Sequence, residues 1–247
     1  MTAMRRDRRR AAGELKRALI LDAARKVFEA EGLDGASLRA IAAEAGYTPA
    51  ALYFHFDSKE AIYADLLRAS LGRLGETVDL AVSRAATPAD RLRAAAQAFF
   101  RFYADNPGDL DLGFYLFRGG RKPKGLGRER DRALNEALEA ALAPIADAAQ
   151  ALGARREDAN MLMVDTFAHA AGLLLLAHTG RIRMFGASAP SLMEAYVEGR
   201  IAALDGGVSA RPTLKQLLLA DEPRAEMPTA RQSHRRRPPK ALGLTDD

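Results

Sequence analysis

From about Lys16 onwards, apolar positions recur at three- and four-residue spacing, and no stretch alternates at period two. That pattern predicts an all-α protein. Ile20, Ala24, Val27 and Phe28 share one face of a first helix, which Gly32 ends in the position of a left-handed cap. Ser37 caps a second helix with Leu38, Ile41, Ala42 and Ala45 inward, and Gly46 breaks it. Thr48 caps a third, with Pro49 at its first position, where a missing N–H costs nothing. Asp57 or Ser58 caps a fourth, which runs through Leu66, Leu67 and Leu71 to about Ser83. Further helices are predicted at roughly 88–105, 108–118, 128–152, 156–179 and 190–204, with breakers such as Asn106-Pro107, Gly119-Gly120, Gly153, Gly180 and Gly186 between them. Residues 1–13 show no apolar period and read as a disordered basic arm. Gly206-Gly207 opens a tail, 206–247, with prolines at 212, 223, 228, 238 and 239; it reads as mostly disordered apart from a helical turn at 213–220.

A chain of 247 residues, 48% of them hydrophobic, has room for one large domain or two modest ones. Cysteine is absent, which excludes disulfides, thiolate metal sites and cysteine nucleophiles and fits a cytoplasmic setting. The longest apolar stretch, Met161 to Ala177, is interrupted by Asp165, Thr166 and His169, so no membrane span is expected. No signal peptide is read in the arginine-rich N-terminus. Charge is distributed unevenly. Residues 1–17 carry seven Lys/Arg against two Asp/Glu, 18–60 four against seven, 61–205 eighteen of each, and 206–247 eight against five. The whole excess of positive charge therefore lies at the two ends, which points to a polyanionic partner for those ends.

Three short helices in the first 60 residues, the second and third joined by a tight Gly-containing turn, form a helix-turn-helix pattern. Val27, Phe28, Leu38 and Ile41 build a platform on which the third helix lays Leu52 and Phe56. Its other face keeps Thr48, Pro49, Ala50 and Tyr53 free, and small residues at a helix start let its backbone approach a groove closely.

The run from Ile20 to Leu67, and above all Gly46-Tyr47-Thr48-Pro49-Ala50-Ala51-Leu52-Tyr53-Phe54-His55-Phe56-Asp57-Ser58-Lys59-Glu60, resembles the DNA-binding domain of TetR/AcrR-family transcriptional regulators. The resemblance is dense over about 50 residues; the rest agrees in general helical layout. It implies a DNA-binding domain at 14–60 and a larger effector-binding and dimerisation domain at 61–205. It also implies that Thr48, Pro49 and Ala50 face bases or backbone, that Tyr53 and His55 touch phosphates, and that Lys59 binds a phosphate through its side chain or the adjacent backbone N–H. Ser37 and Arg39 are expected at the backbone or groove. One departure is Pro49, where many relatives carry a longer polar or basic residue. Pro49 and Ala50 offer only apolar contact, for example to a thymine methyl, so base-specific hydrogen bonding falls to Thr48, Arg39 and the arm. Because the helix-turn-helix is itself net negative, the arm, including Arg8, Arg9 and Arg10, is expected to supply much of the DNA affinity.

Other features admit two readings. Tyr53 and His55 are core or metal-site residues by composition, and phosphate contacts by the family pattern. Phe99, Phe100, Phe102, Tyr103, Phe114, Tyr115 and Phe117 are plain core or, for Phe99, Phe102, Tyr103, Phe114 and Phe117, the lining of an effector cavity. Asp165 and His169, one turn apart, are a polar handle in that cavity, part of a metal site, or a mutually satisfied pair. His178 at a helix end is assigned no function. The basic run 118–124 is a solvated loop or a site for an anionic effector, and Arg235–Arg237 a solvated tail or a non-specific nucleic-acid contact. No Gly-rich phosphate loop, nucleophile elbow, metal-spaced set or paired-carboxylate signature is read, so no enzyme activity and no cofactor are expected.

Together these readings describe a regulator, in the repressor sense, that binds a palindromic double-stranded operator as a homodimer and is released by a small-molecule effector. Ala168, Ala171 and Gly172 allow close helix contact at the dimer interface. The alternative is a DNA-binding protein without an effector, acting architecturally or through a protein partner on the basic tail.

Overall fold

The computed structural model describes residues 2–114 and 125–206, apart from the side chains of residues 2–5, 7, 9 and 114. Arg9 and Phe114 as side chains, Tyr115, Phe117, the whole basic run 118–124, the turn at 213–220 and the rest of the tail therefore lie outside the described residues. All regular structure within them is helical. The order is α1 (Thr2–Gly35), α2 (Leu38–Glu44), α3 (Pro49–Tyr53), α4 (Lys59–Ser83), α5 (Pro88–Asp105), α6 (Pro107–Phe114), α7 (Arg128–Ala151), α8 (Arg156–His178), a 3-10 turn (Arg181–Phe185) and α9 (Ala189–Asp205).

The local signals work as their chemistry dictates. Ser37 Oγ accepts from Ala40 N at 3.1 Å, Thr48 Oγ1 from Ala51 N at 3.2 Å and Thr87 Oγ1 from Asp90 N at 3.1 Å, each meeting a backbone donor that the helix start leaves without a partner. Of the two candidates before α4, Ser58 is the cap, its Oγ accepting from Ala61 N at 3.1 Å. Gly46 takes φ +71, so that Tyr47 N can return to Ala42 O at 2.8 Å and turn the chain tightly into α3.

Three helices make the N-terminal unit. Ile20, Ala24, Val27 and Phe28 of α1, Ile41 and Ala42 of α2, and Leu52 of α3 are buried against one another and against the start of α4. Non-helical geometry at Gly32 breaks α1 near its end. Beyond this unit, α4 packs on α5 and α7, α5 on α7 and α9, and α8 on α7 and α9. The described residues all fall in one compact unit.

Two ionic ties join the N-terminal helices to the later ones. Arg130 of α7 donates to both carboxylate oxygens of Asp57, at 3.1 and 3.0 Å. Asp109 of α6, only 6% exposed, receives Arg73 of α4 at 2.7 Å and Arg25 of α1 at 3.5 Å.

The arm differs from its sequence reading. Residues 2–13 are not irregular; they continue α1 as helix. The missing apolar period fits the exposure of Arg6, Arg8, Arg10, Ala11 and Ala12 along it. Arginine and alanine are strong helix formers whether or not they are buried, and the pair Arg10–Glu14 at 3.0 Å adds i,i+4 support.

Candidate nucleic-acid interface

Helix α3 is five residues long, too short to stand alone in water. Leu52 is fully buried and Phe56 nearly so, which fastens one side of it to α1 and α4. Arg17 of α1 secures the far end. Its guanidinium lies 4.4 Å over the Phe56 ring, donates to the His55 carbonyl at 3.3 Å and pairs with Asp65 of α4, which also holds Arg68 at 2.7 Å. The side of α3 that faces away carries Thr48, Pro49 and Ala50, all exposed, then Tyr53 at 61% and Phe54 at 88% exposure. Ser37 and Arg39 at the start of α2 are exposed as well, and His55 is half-buried.

Thr48 and Ser37 use an oxygen lone pair for capping but keep a hydroxyl hydrogen to donate. Lys59 is placed differently. Its ammonium donates to the carbonyls of Leu33 at 2.7 Å, Ala36 at 3.0 Å and Asp34 at 3.1 Å, which uses all three of its hydrogens. Of the two modes expected for Lys59, the side-chain one is occupied inside the fold, and the backbone N–H at the start of α4 remains.

Phe54 was missed by the pattern reading. The only signal was a large aromatic off the buried stripe, two residues after Leu52. Arg17 was missed too, since its partners lie 38 and 48 residues away.

The candidate effector residues fall in two places. Phe99 and Tyr103 of α5 meet edge-to-face at 5.3 Å, Phe102 and Tyr103 at 5.2 Å, and Phe99 reaches Phe167 of α8 at 5.8 Å. Burial, with the charge of Asp109 added, pushes the Tyr103 phenol well above its usual range. Asp165 and His169 leave α8 on the other flank and turn to α9. Tyr196 donates its hydroxyl to Asp165, the His169 ring stacks on Tyr196 at 4.1 Å, and Arg200 lies 3.5 Å from Asp165. His169 Nε2 is buried without a hydrogen-bond partner among the described residues, and desolvation lowers the imidazole pKa despite the opposing charge of Asp165. No cluster of three or more metal-binding side chains occurs among the described residues.

Along the outer side of α8, Ala168 and Gly172 are exposed and Ala171 is half-buried, beside exposed Val164, Leu175 and Leu176. Met184, Phe185 and Leu192 continue the exposed apolar positions into the 3-10 turn and α9. By length and composition α8 is apolar enough to cross a membrane, although 161–177 was expected to be too interrupted, and 28% of its most apolar stretch is buried. Its core contacts with α5, α7 and α9 are those of a helix in a bundle that keeps one side uncovered.

A capped, short, outward-facing third helix set by a Gly turn on a second defines a helix-turn-helix protein of the DNA-binding class. Residues 20–66 match the family described as bacterial regulatory proteins, tetR family. The chain is 33% identical over 87 residues to the HTH-type transcriptional regulator BetI of Rhizobium meliloti, covering 35% of this chain and 43% of that protein. It is 35% identical over 111 residues to the HTH-type transcriptional activator FasR of Mycolicibacterium smegmatis, covering 41% and 51%. The chain thus spans about half the length of these curated relatives. The crystal structure of the transcriptional regulator FadR from Bacillus subtilis in complex with stearoyl-CoA shares the fold, with a TM-score of 0.59 and 18% identity over 77% of this chain and 98% of that one. Residues 20–66 thus carry a DNA-binding domain of the tetR-family type, and the curated relatives that share it are transcriptional regulators.

Proposed function

We propose that the protein is a cytoplasmic transcriptional repressor that binds a palindromic operator as a homodimer and leaves it when a small molecule binds. The observation that carries the DNA half is the outward side of α3, where Thr48, Pro49, Ala50 and Tyr53 are exposed while Leu52 is buried. Tyr53 and His55, the Lys59 backbone N–H, and Ser37 and Arg39 are assigned to phosphates or groove. Arg8, Arg9 and Arg10 are assigned to the long-range attraction that the net-negative helix-turn-helix lacks.

Dimerisation through α8 and α9 is supported by the uncovered apolar side around Ala168, Ala171 and Gly172. A short recognition helix reaches few bases, so two copies about one helical turn (roughly 34–36 Å) or a multiple apart are needed for a useful site. The effector is assigned to the neighbourhood of Phe99, Phe102 and Tyr103, with Phe114 and Phe117 completing the set. Asp165 and His169 are reassigned from that cavity to the α8–α9 seam, because their partners are Tyr196 and Arg200. A ligand that favours splayed helix-turn-helix units lowers operator affinity by the factor with which the operator opposes the ligand. The ties of Asp57 to Arg130 and of Asp109 to Arg25 and Arg73 support α6 and α7 as the route.

Substituting Tyr53→Ala tests the DNA assignment. Operator binding, followed by footprinting on the chain's own upstream region and genomic fragments, should weaken while thermal melting stays unchanged. A collapse in melting temperature would place Tyr53 in the core instead.

A further inference from the structure

Phe54 is more exposed, at 88%, than any other large hydrophobic side chain among the described residues, and it is the C-cap of α3, the helix proposed to enter DNA. It does nothing for the fold: Leu52 and Phe56 on either side of it are buried and fasten α3, while Phe54 points away. Ala50 lies one turn before it, and Pro49 one turn before Tyr53, so the two pairs form adjacent ridges on the outward face. Pro49, Ala50 and Phe54 carry no side-chain atom that donates or accepts a hydrogen bond. Thr48 gives a lone pair to Ala51 N and keeps one hydroxyl hydrogen, and Tyr53 adds a phenol, so two hydroxyls are the hydrogen-bonding groups of this face.

A recognition surface of this kind has little with which to address the donors and acceptors of the major groove. The one apolar feature there is the thymine C5-methyl. We propose that Phe54, with Ala50, is a specificity-determining residue that reads thymine methyl groups, so that the operator is defined by methyl position more than by base-edge hydrogen bonds. The inference rests on the DNA-binding reading of α3.

The test uses the full chain and needs no prior operator. A random duplex library is put through cycles of selection, and the selected duplex is remade with deoxyuridine in place of each thymidine in turn, which removes only the methyl. At one thymine per half-site, binding should weaken about fourfold per methyl, the equivalent of about 0.8 kcal/mol for one buried CH2. Phe54→Ala should melt like the parent and bind the thymine and uracil duplexes alike at that position. The slope of log affinity against log salt should not change, since the same number of phosphates is neutralised. Insensitivity to removal of every methyl overturns the proposal. So does a Phe54→Ala variant that keeps the discrimination, or one that weakens both duplexes equally, which is the mark of packing on the sugar-phosphate backbone. If the chain selects no sequence at all, the DNA-binding reading falls together with it; in every other outcome that reading stands.

Discussion

Replacing Lys59 with Met separates two roles that a lysine at the start of α4 can play. The methionine keeps the apolar stem and removes the ammonium, leaving the carbonyls of Leu33, Asp34 and Ala36 without their shared donor. A hydrogen bond to a charged group contributes about 1.5–3 kcal/mol. Lys59 is half-buried and water reaches part of this carbonyl set, so the net loss is set near one such bond and not three, about 2 kcal/mol. For a chain of this size that corresponds to a fall in Tm of about 4–8 °C. Thermal melting by circular dichroism reads it directly. A titration of the selected duplex at several salt concentrations supplies the second arm. A structural clamp lowers Tm and leaves the salt slope alone. A side-chain phosphate contact leaves Tm alone and lowers the slope by about 0.9 per protomer. An unchanged Tm with a reduced slope refutes the clamp.

Deleting residues 1–12 should flatten the salt dependence of DNA binding by about 0.9 for each phosphate the arm had neutralised, with the fold intact; an unchanged slope removes the arm from the interface. Gly172→Arg should yield monomers by analytical ultracentrifugation at concentrations where the parent is dimeric, because a Cβ there meets nothing within 4 Å in the protomer and the side chain blocks only an approaching copy. A variant that remains dimeric would move the interface off α8. For His169, folding favours the neutral imidazole, so its pKa is lower folded than unfolded. As pH falls below the unfolded value of about 6.5, the unfolded chain takes the proton first and stability declines until the folded pKa is passed. The parent should therefore lose more Tm between neutral and mildly acidic pH than His169→Gln; equal losses would show that His169 does not contribute.

What the sequence made legible was local. Ser37, Thr48 and Thr87 act on backbone donors within three residues, and Gly46 serves its own turn, so caps and boundaries follow from short stretches of chain. The exposed side of α3 was legible for the same reason, as small and polar positions opposite buried Leu52. The hidden parts depend on distance along the chain. Arg130 meets Asp57 across 73 residues, and the Lys59 side chain turns back 23 to 26 residues to the end of α1, away from one of the two phosphate modes its motif position suggested. Asp165 and His169 were read as neighbours of each other because they are one turn apart, whereas Tyr196, 31 residues beyond Asp165, comes between them as the shared partner. The arm misled in the opposite sense, since apolar periodicity records burial, and an exposed helix leaves no such trace.

The continuity of α1 has a mechanical consequence. Its first residues and its buried stripe at Ile20 to Phe28 belong to one rod, and the part beyond Arg17 is about 22 Å long at 1.5 Å per residue. Arginines on a tether would find phosphates wherever the body sat. Arginines on a rod are carried by it, so a tilt of about 10° at the core moves their tip by about 4 Å, roughly a hydrogen-bond length or more. A small reorientation of the N-terminal unit is thereby magnified at the charged end, so this segment, in its proposed DNA role, would be the first to lose its register.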